Sequence, residues 1–228
     1  MKPVFRTSLP SLAAGVFLLA HPAQAADTKV AFALHGVGAQ TCEAVEKQLQ
    51  ATPATARPLL TTWILGYLSA LNRLQAETYD ASPVQVAEAL TEMTLGLCKG
   101  NAGALLETVV STLFKRLDGA RAKQASPLVV TKVGNLTTQV RRDTLVAMQA
   151  VLIDAKFLTA AAPGDLDEPT QAALREFQKV QNLRETGLPD PATIVRMLVE
   201  LPAGYQNPNA GGAPAKPAPA PAQPNRRR

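Results

Sequence analysis

The chain has 228 residues, of which 46% are hydrophobic, 4% aromatic and 18% charged, with two cysteines and a formal charge of +5. That charge belongs to the ends: Lys2, Arg6, Lys216, Arg226, Arg227 and Arg228 account for six of the 23 basic residues, leaving 17 against 18 acidic ones between them. A body so near neutrality offers no basic face for nucleic acid, whose binding rests on neutralising phosphates, and the length allows two small domains and a tail.

The first residues read as an export signal. Lys2 and Arg6 precede an apolar run from Leu12 to Ala20, and Ala23-Gln24-Ala25 supplies the small residues of a cleavage site, so residues 1–25 would be removed. The run is about half the length of roughly twenty residues that a membrane-spanning helix needs, so no transmembrane segment is expected after cleavage. The periplasm is the expected location. An oxidising compartment would join Cys42 to Cys98. Closing that loop is worth about 4 kcal/mol in the chain-entropy treatment.

Residues 26–118 carry four helical patterns. The first runs from Thr41 to Gln50. The second, Leu59 to Leu74, sets Trp63, Tyr67, Ala70 and Leu74 at three- and four-residue spacing. For Trp63 and Tyr67 core packing is the expected role rather than a ligand site, and Gly66 is expected to let a neighbouring helix approach. The third pattern opens at Ser82-Pro83, with Gln85 completing a capping box, and ends near Cys98. The fourth starts from Asn101 as N-cap and runs through Leu105, Val109, Leu113 and Leu117.

Gly119, Ser126, Pro127, Gly134 and Asn135 surround a short β-branched run, Val129 to Val133, which reads as a linker over 119–137, with a short strand as one option. A second helical domain is expected over 138–202. Residues 203–228 are mostly Ala, Pro, Gly, Asn and Gln, too poor in apolar side chains to offset ordering entropy, and read as a disordered tail. The fold class expected is therefore all-α: a disulfide-linked four-helix domain, a three-helix module and a disordered tail.

The module repeats a turn. Gly164, Asp167 and Thr170 match Gly187, Asp190 and Thr193: Gly, Asp three later, Thr three after that. Gly permits a positive φ, Asp caps the next helix and Pro169 or Pro191 fits its first turn. Three apolar stripes adjoin these turns: Leu145, Met148 and Leu152; Ala173, Leu174, Phe177 and Val180; Ile194, Met197 and Leu198.

With Met148-Gln149, Ala173-Leu174, Phe177-Gln178, Leu183 and Thr186-Gly187-Leu188 in this order, the stretch resembles the peptidoglycan-binding type 1 family. The resemblance implies a three-helix module that binds peptidoglycan, with Gln149, Asp167, Gln178 and Arg184 near the turns as candidate contacts. Asp167 also reads as a cap, and Gln149 and Gln178 can equally serve the fold. Residues 159–163 are less regular than the family pattern. The Cys pair bracketing Trp63-Ile64-Leu65-Gly66-Tyr67 resembles small disulfide-linked periplasmic helical proteins, among them HdeA-type acid-stress chaperones and immunity proteins against secreted amidases.

Catalysis finds little footing. His35 is the one histidine after the signal, short of the several convergent ligands of a zinc site. No Gly-x-Ser-x-Gly elbow is present. Glu88 and Glu92, four apart on a helix, read as solvated surface. The expectation is a non-enzymatic protein without cofactor or metal, bound to peptidoglycan and offering its helical domain to an envelope protein. The contact surface would be the fourth helix (Leu105, Val109, Leu113) or the Trp63 helix. A wall-localised chaperone or inhibitor, or a regulator of a separate wall hydrolase, are the other readings.

Overall fold

The computed structural model describes residues 32–160 and 163–209, so the export signal at 1–25 and the tail beyond Asn209 lie outside the described residues. Thr41 opens helix α1 (Cys42–Ala51) by accepting a hydrogen bond from Ala44 N–H at 3.3 Å. Helix α2 (Pro53–Leu74) starts earlier than its apolar spacing predicts, because Pro53 fits the first turn and the helix continues through Pro58. Its buried stripe is Leu60 and Ile64, both at 0% exposure, with Tyr67, Leu68 and Leu71 partly buried beside them. Leu74, expected on that stripe, is 79% exposed.

Trp63 is half-buried under a 3-10 turn, Gly36–Ala39. Its indole N–H donates to His35 O at 3.1 Å, and a Cβ on Gly38 would collide with the ring. The close approach expected at Gly66 is therefore at Gly38, since nothing lies within 4 Å of where a Gly66 Cβ would stand.

Helix α3 (Ala87–Cys98) begins after the predicted capping box. Ser82 Oγ donates to Val84 O and accepts from Val84 N–H, while the Gln85 amide donates to Ser82 O and Asp80 Oδ2, so both residues shape the loop instead. Helix α4 (Leu106–Leu117) likewise starts after Asn101, whose amide closes α3 by donating to Leu97 O. Val109 and Leu113 are 6% and 3% exposed. They form core, which removes the outward contact surface expected on this helix. The Cys42–Cys98 disulfide, with 5.4 Å between the Cα atoms, ties the start of α1 to the end of α3.

The chain is mostly helical rather than all-α. Strands β1 (Leu128–Val133) and β2 (Leu136–Arg141) pair antiparallel, in register from Leu128 opposite Arg141 to Val133 opposite Leu136. Gly134 takes φ +58° at the first of two loop positions, as a type II′ hairpin turn requires. The hairpin thus occupies the end of the expected linker and the expected start of the module.

Helices α5 (Arg142–Asp154), α6 (Glu168–Val180) and α7 (Pro191–Val195), the last extended by a π-helical turn (Arg196–Glu200), follow. Leu145, Met148, Leu152, Leu174, Phe177 and Ile194 are all at 0% exposure, so the predicted stripes face one another. Phe177 packs edge-on against Phe157 at 5.6 Å. Residues 203–209, expected to begin the disordered tail, lie against the module: the Tyr205 ring stacks on Phe157, its hydroxyl accepts from Gln181, and Asn207 N–H donates to Ala155 O.

One buried apolar cluster runs from Val45 through α4 to Ile194 and Met197. Val195 and Val199 face Met93, Leu97 and Leu113 across a shallow cleft. Asp80, 3% exposed, pairs with Arg141 at 2.7 Å, and the Arg141 guanidinium also donates to Ser126 O and lies 4.9 Å over the Tyr79 ring. The described residues from Leu34 onward accordingly belong to one compact unit.

Candidate functional site

The site is built from two turns made the same way. In the first, between α5 and α6, Gly164 takes φ +76°, and its N–H donates to Gln149 Oε1 at 2.8 Å. Gln149 Nε2 donates to Asp165 O at 2.8 Å and to Thr170 Oγ1 at 3.1 Å. Asp167 caps α6 by accepting from Thr170 N–H at 2.9 Å.

In the second turn, between α6 and α7, Gly187 takes φ +70° and its N–H donates to Gln178 Oε1 at 2.8 Å. Gln178 Nε2 donates to Leu188 O at 3.0 Å and to Thr193 Oγ1 at 2.9 Å. Asp190 caps α7 by accepting from Thr193 N–H at 2.9 Å. Each glutamine amide therefore ties the glycine, the residue after it and the threonine of one turn.

Both glutamines are buried, Gln149 at 3% and Gln178 at 0% exposure, so their amides hold the turns from inside. Asp167 is an N-cap, as its spacing predicts. Arg184 is exposed at the head of the second turn, where its carbonyl accepts from Thr186 N–H at 2.8 Å. The four candidate residues are thus divided: three build the turns and one stands on the surface.

The structure adds two side chains that the sequence does not single out. Arg142 lies over the Gly164 turn, close enough that a Cβ on Gly164 would collide with its side chain. Arg175 lies over the Gly187 turn, its Nε 3.0 Å from the place a Gly187 Cβ would occupy. Spacing gives no hint of either, because an arginine on a polar helix face reads as solvated surface. Each turn thus presents backbone and a guanidinium group over an interior fixed by a buried amide, and the second turn adds Arg184. Such a surface can recognise a polar, carboxylate-bearing ligand.

Away from these turns, Tyr67 donates to Glu107 Oε1 at 3.1 Å. Burial, with the nearby Glu107 carboxylate, pushes the phenol above its ordinary value. Among the described residues no three or more of His, Cys, Asp and Glu gather as a metal site, and no helix is long and apolar enough to cross a membrane.

Comparison with protein families matches residues 141–197 to the family described as "Putative peptidoglycan binding domain". The match runs from the last residue of β2 to Met197 and contains both turns. Comparison with curated proteins found no match, and comparison with solved structures found none either.

Proposed function

From the premise of a peptidoglycan-binding domain at residues 141–197, we propose that the chain is a non-catalytic periplasmic protein that grips the wall through this domain and presents its helical part to an envelope partner. The observation that carries the reading is the paired construction of the two turns. Two buried glutamines are spent on holding loop backbone in one shape, an investment that serves recognition by a rigid surface. Arg184, exposed on the second turn, is the proposed contact among the residues the sequence offers. Gln149, Asp167 and Gln178 act as positioning residues.

The helical part supports presentation rather than chemistry. Several of its polar groups are paired with one another or with the rest of the chain: Tyr67 with Glu107, Thr61 with Thr91, and Asp80 with Arg141. With α4 turned inward, the proposed partner surface lies on α2, whose Leu59, Leu65 and Leu74 are 62%, 37% and 79% exposed.

Incubation with purified sacculi tests both halves of the proposal. The protein is expected in the pellet, with no release of soluble wall fragments over time. Protein that stays in the supernatant would remove the binding role, and fragment release would replace presentation by hydrolysis.

A further inference from the structure

Arg142 and Arg175 hold the same relation to the two glycine turns and differ in what they meet. Over the first turn Arg142 Nη2 donates to Pro163 O and to Asp165 Oδ1, each at 3.2 Å. Asp165 is the residue directly after the turn glycine. Over the second turn that position is Leu188, which is 2% exposed and supplies no acid. Arg175 is half-buried and makes no hydrogen bond or ion pair among the described residues. Glu176, the next residue, accepts instead from the Asn207 amide.

We infer that Arg175 is a ligand-contacting residue of the wall-binding surface, receiving a carboxylate of the peptidoglycan stem peptide in the role that Asp165 plays for Arg142. The inference rests on the wall-binding reading above and specifies its chemistry. The first turn supplies the template, since there the chain itself sets a carboxylate against the arginine that covers the glycine. The second turn keeps the glycine and the arginine and omits the acid. A guanidinium offers five N–H donors in a planar fork suited to a carboxylate. Stem peptides carry free carboxylates, whereas the sugar hydroxyls of the glycan are neutral. Gly187 is needed for its φ of +70°, and a Cβ there would stand 3.0 Å from Arg175 Nε and 3.1 Å from Cζ and press that side chain aside.

The test is co-sedimentation of the full chain with purified sacculi, either native or with their stem-peptide carboxylates amidated by carbodiimide and ammonia. Four proteins are compared: wild type, Arg175→Gln, Arg175→Lys, and Lys179→Gln as a charge-matched control on an exposed site of the same helix. Arg175→Gln is expected to weaken binding to native sacculi about tenfold, the order set by one charge-assisted hydrogen-bonded pair. Amidation should weaken wild type by a similar factor, weaken Arg175→Gln little further, and Arg175→Lys should recover part of the loss. Equal binding by wild type and Arg175→Gln, or equal losses in Arg175→Gln and Lys179→Gln, overturns the assignment while wall binding stands. Wild type that ignores amidation overturns it too, even if the Gln variant does not fold. Wild type that leaves native sacculi unbound overturns the wall-binding reading and this inference with it.

Discussion

Gln178 shows most clearly how a single side chain can hold a surface it does not reach. Its amide, at 0% exposure, accepts from one backbone N–H and donates to one carbonyl and to hydroxyl and carboxylate oxygens of the next helix start. Truncation to Ala would strand several of those groups in the interior, at about 1–3 kcal/mol each. Gln178→Ala is therefore expected to cost about 3 kcal/mol or more, read as a lower urea midpoint at unchanged slope; a loss below about 1 kcal/mol would mean the turn does not depend on the amide. The glycine, aspartate and threonine of each turn are legible in the sequence because they act on adjacent backbone. Arg175 is not, because its role depends on a turn folded back over it.

A second residue-scale test concerns Tyr67, one of three tyrosines. Its raised pKa favours the neutral phenol in the folded state, so its contribution is fully present below the ordinary value of 10.0. As pH rises past that value the unfolded chain ionises first, and the contribution is lost through the folded-state pKa. A titration followed at 295 nm should show a phenol that ionises above the ordinary value, and Tyr67→Phe should abolish that late step. Persistence of the late step in the variant would assign it to another tyrosine.

At the scale of elements, agreement with the sequence follows how local each signal is. Asp167 and Asp190 cap the helices their spacing predicts. Ser82 and Asn101 carry equally good capping chemistry but spend it on loop and helix-end carbonyls, so α3 and α4 start later than expected. The hairpin was half legible: Gly134-Asn135 follows a β-branched run, but Leu136–Arg141 is too polar to read as its partner strand. Tyr205 and Asn207 were hidden by the Pro- and Ala-rich composition around them. Removing residues 203–228 should lower stability by about 2 kcal/mol, the order of a lost aromatic contact with two hydrogen bonds. Tyr205→Ala alone should give about half of this. Thermal unfolding measures both, and an unchanged midpoint for the truncation would show that the strap contributes nothing.

Across the whole molecule, the helical part and the wall-binding domain share one apolar cluster and a buried ion pair between Asp80 and Arg141. Asp80→Asn leaves a largely buried guanidinium without its counter-charge, which should cost about 3 kcal/mol. Because the two parts are joined this way, unfolding should be one cooperative transition. Fluorescence of Trp63, the single tryptophan, reports the helical part, and amide exchange in α6 reports the wall-binding domain. Coincident transitions are expected; well-separated ones would mean two independently folding parts. Fixed joining has a functional consequence, since a partner held on α2 would sit at a set distance from the wall rather than on a flexible tether.

The central claim, that the surface around the two turns binds peptidoglycan, is tested most directly by titrating the intact folded chain with purified sacculi and measuring the bound fraction at equilibrium. The account predicts a saturable curve that weakens markedly in Arg184→Gln, with the fold of that variant unchanged by circular dichroism. A wild-type chain that remains in the supernatant at every sacculus concentration, while still folded, would contradict it.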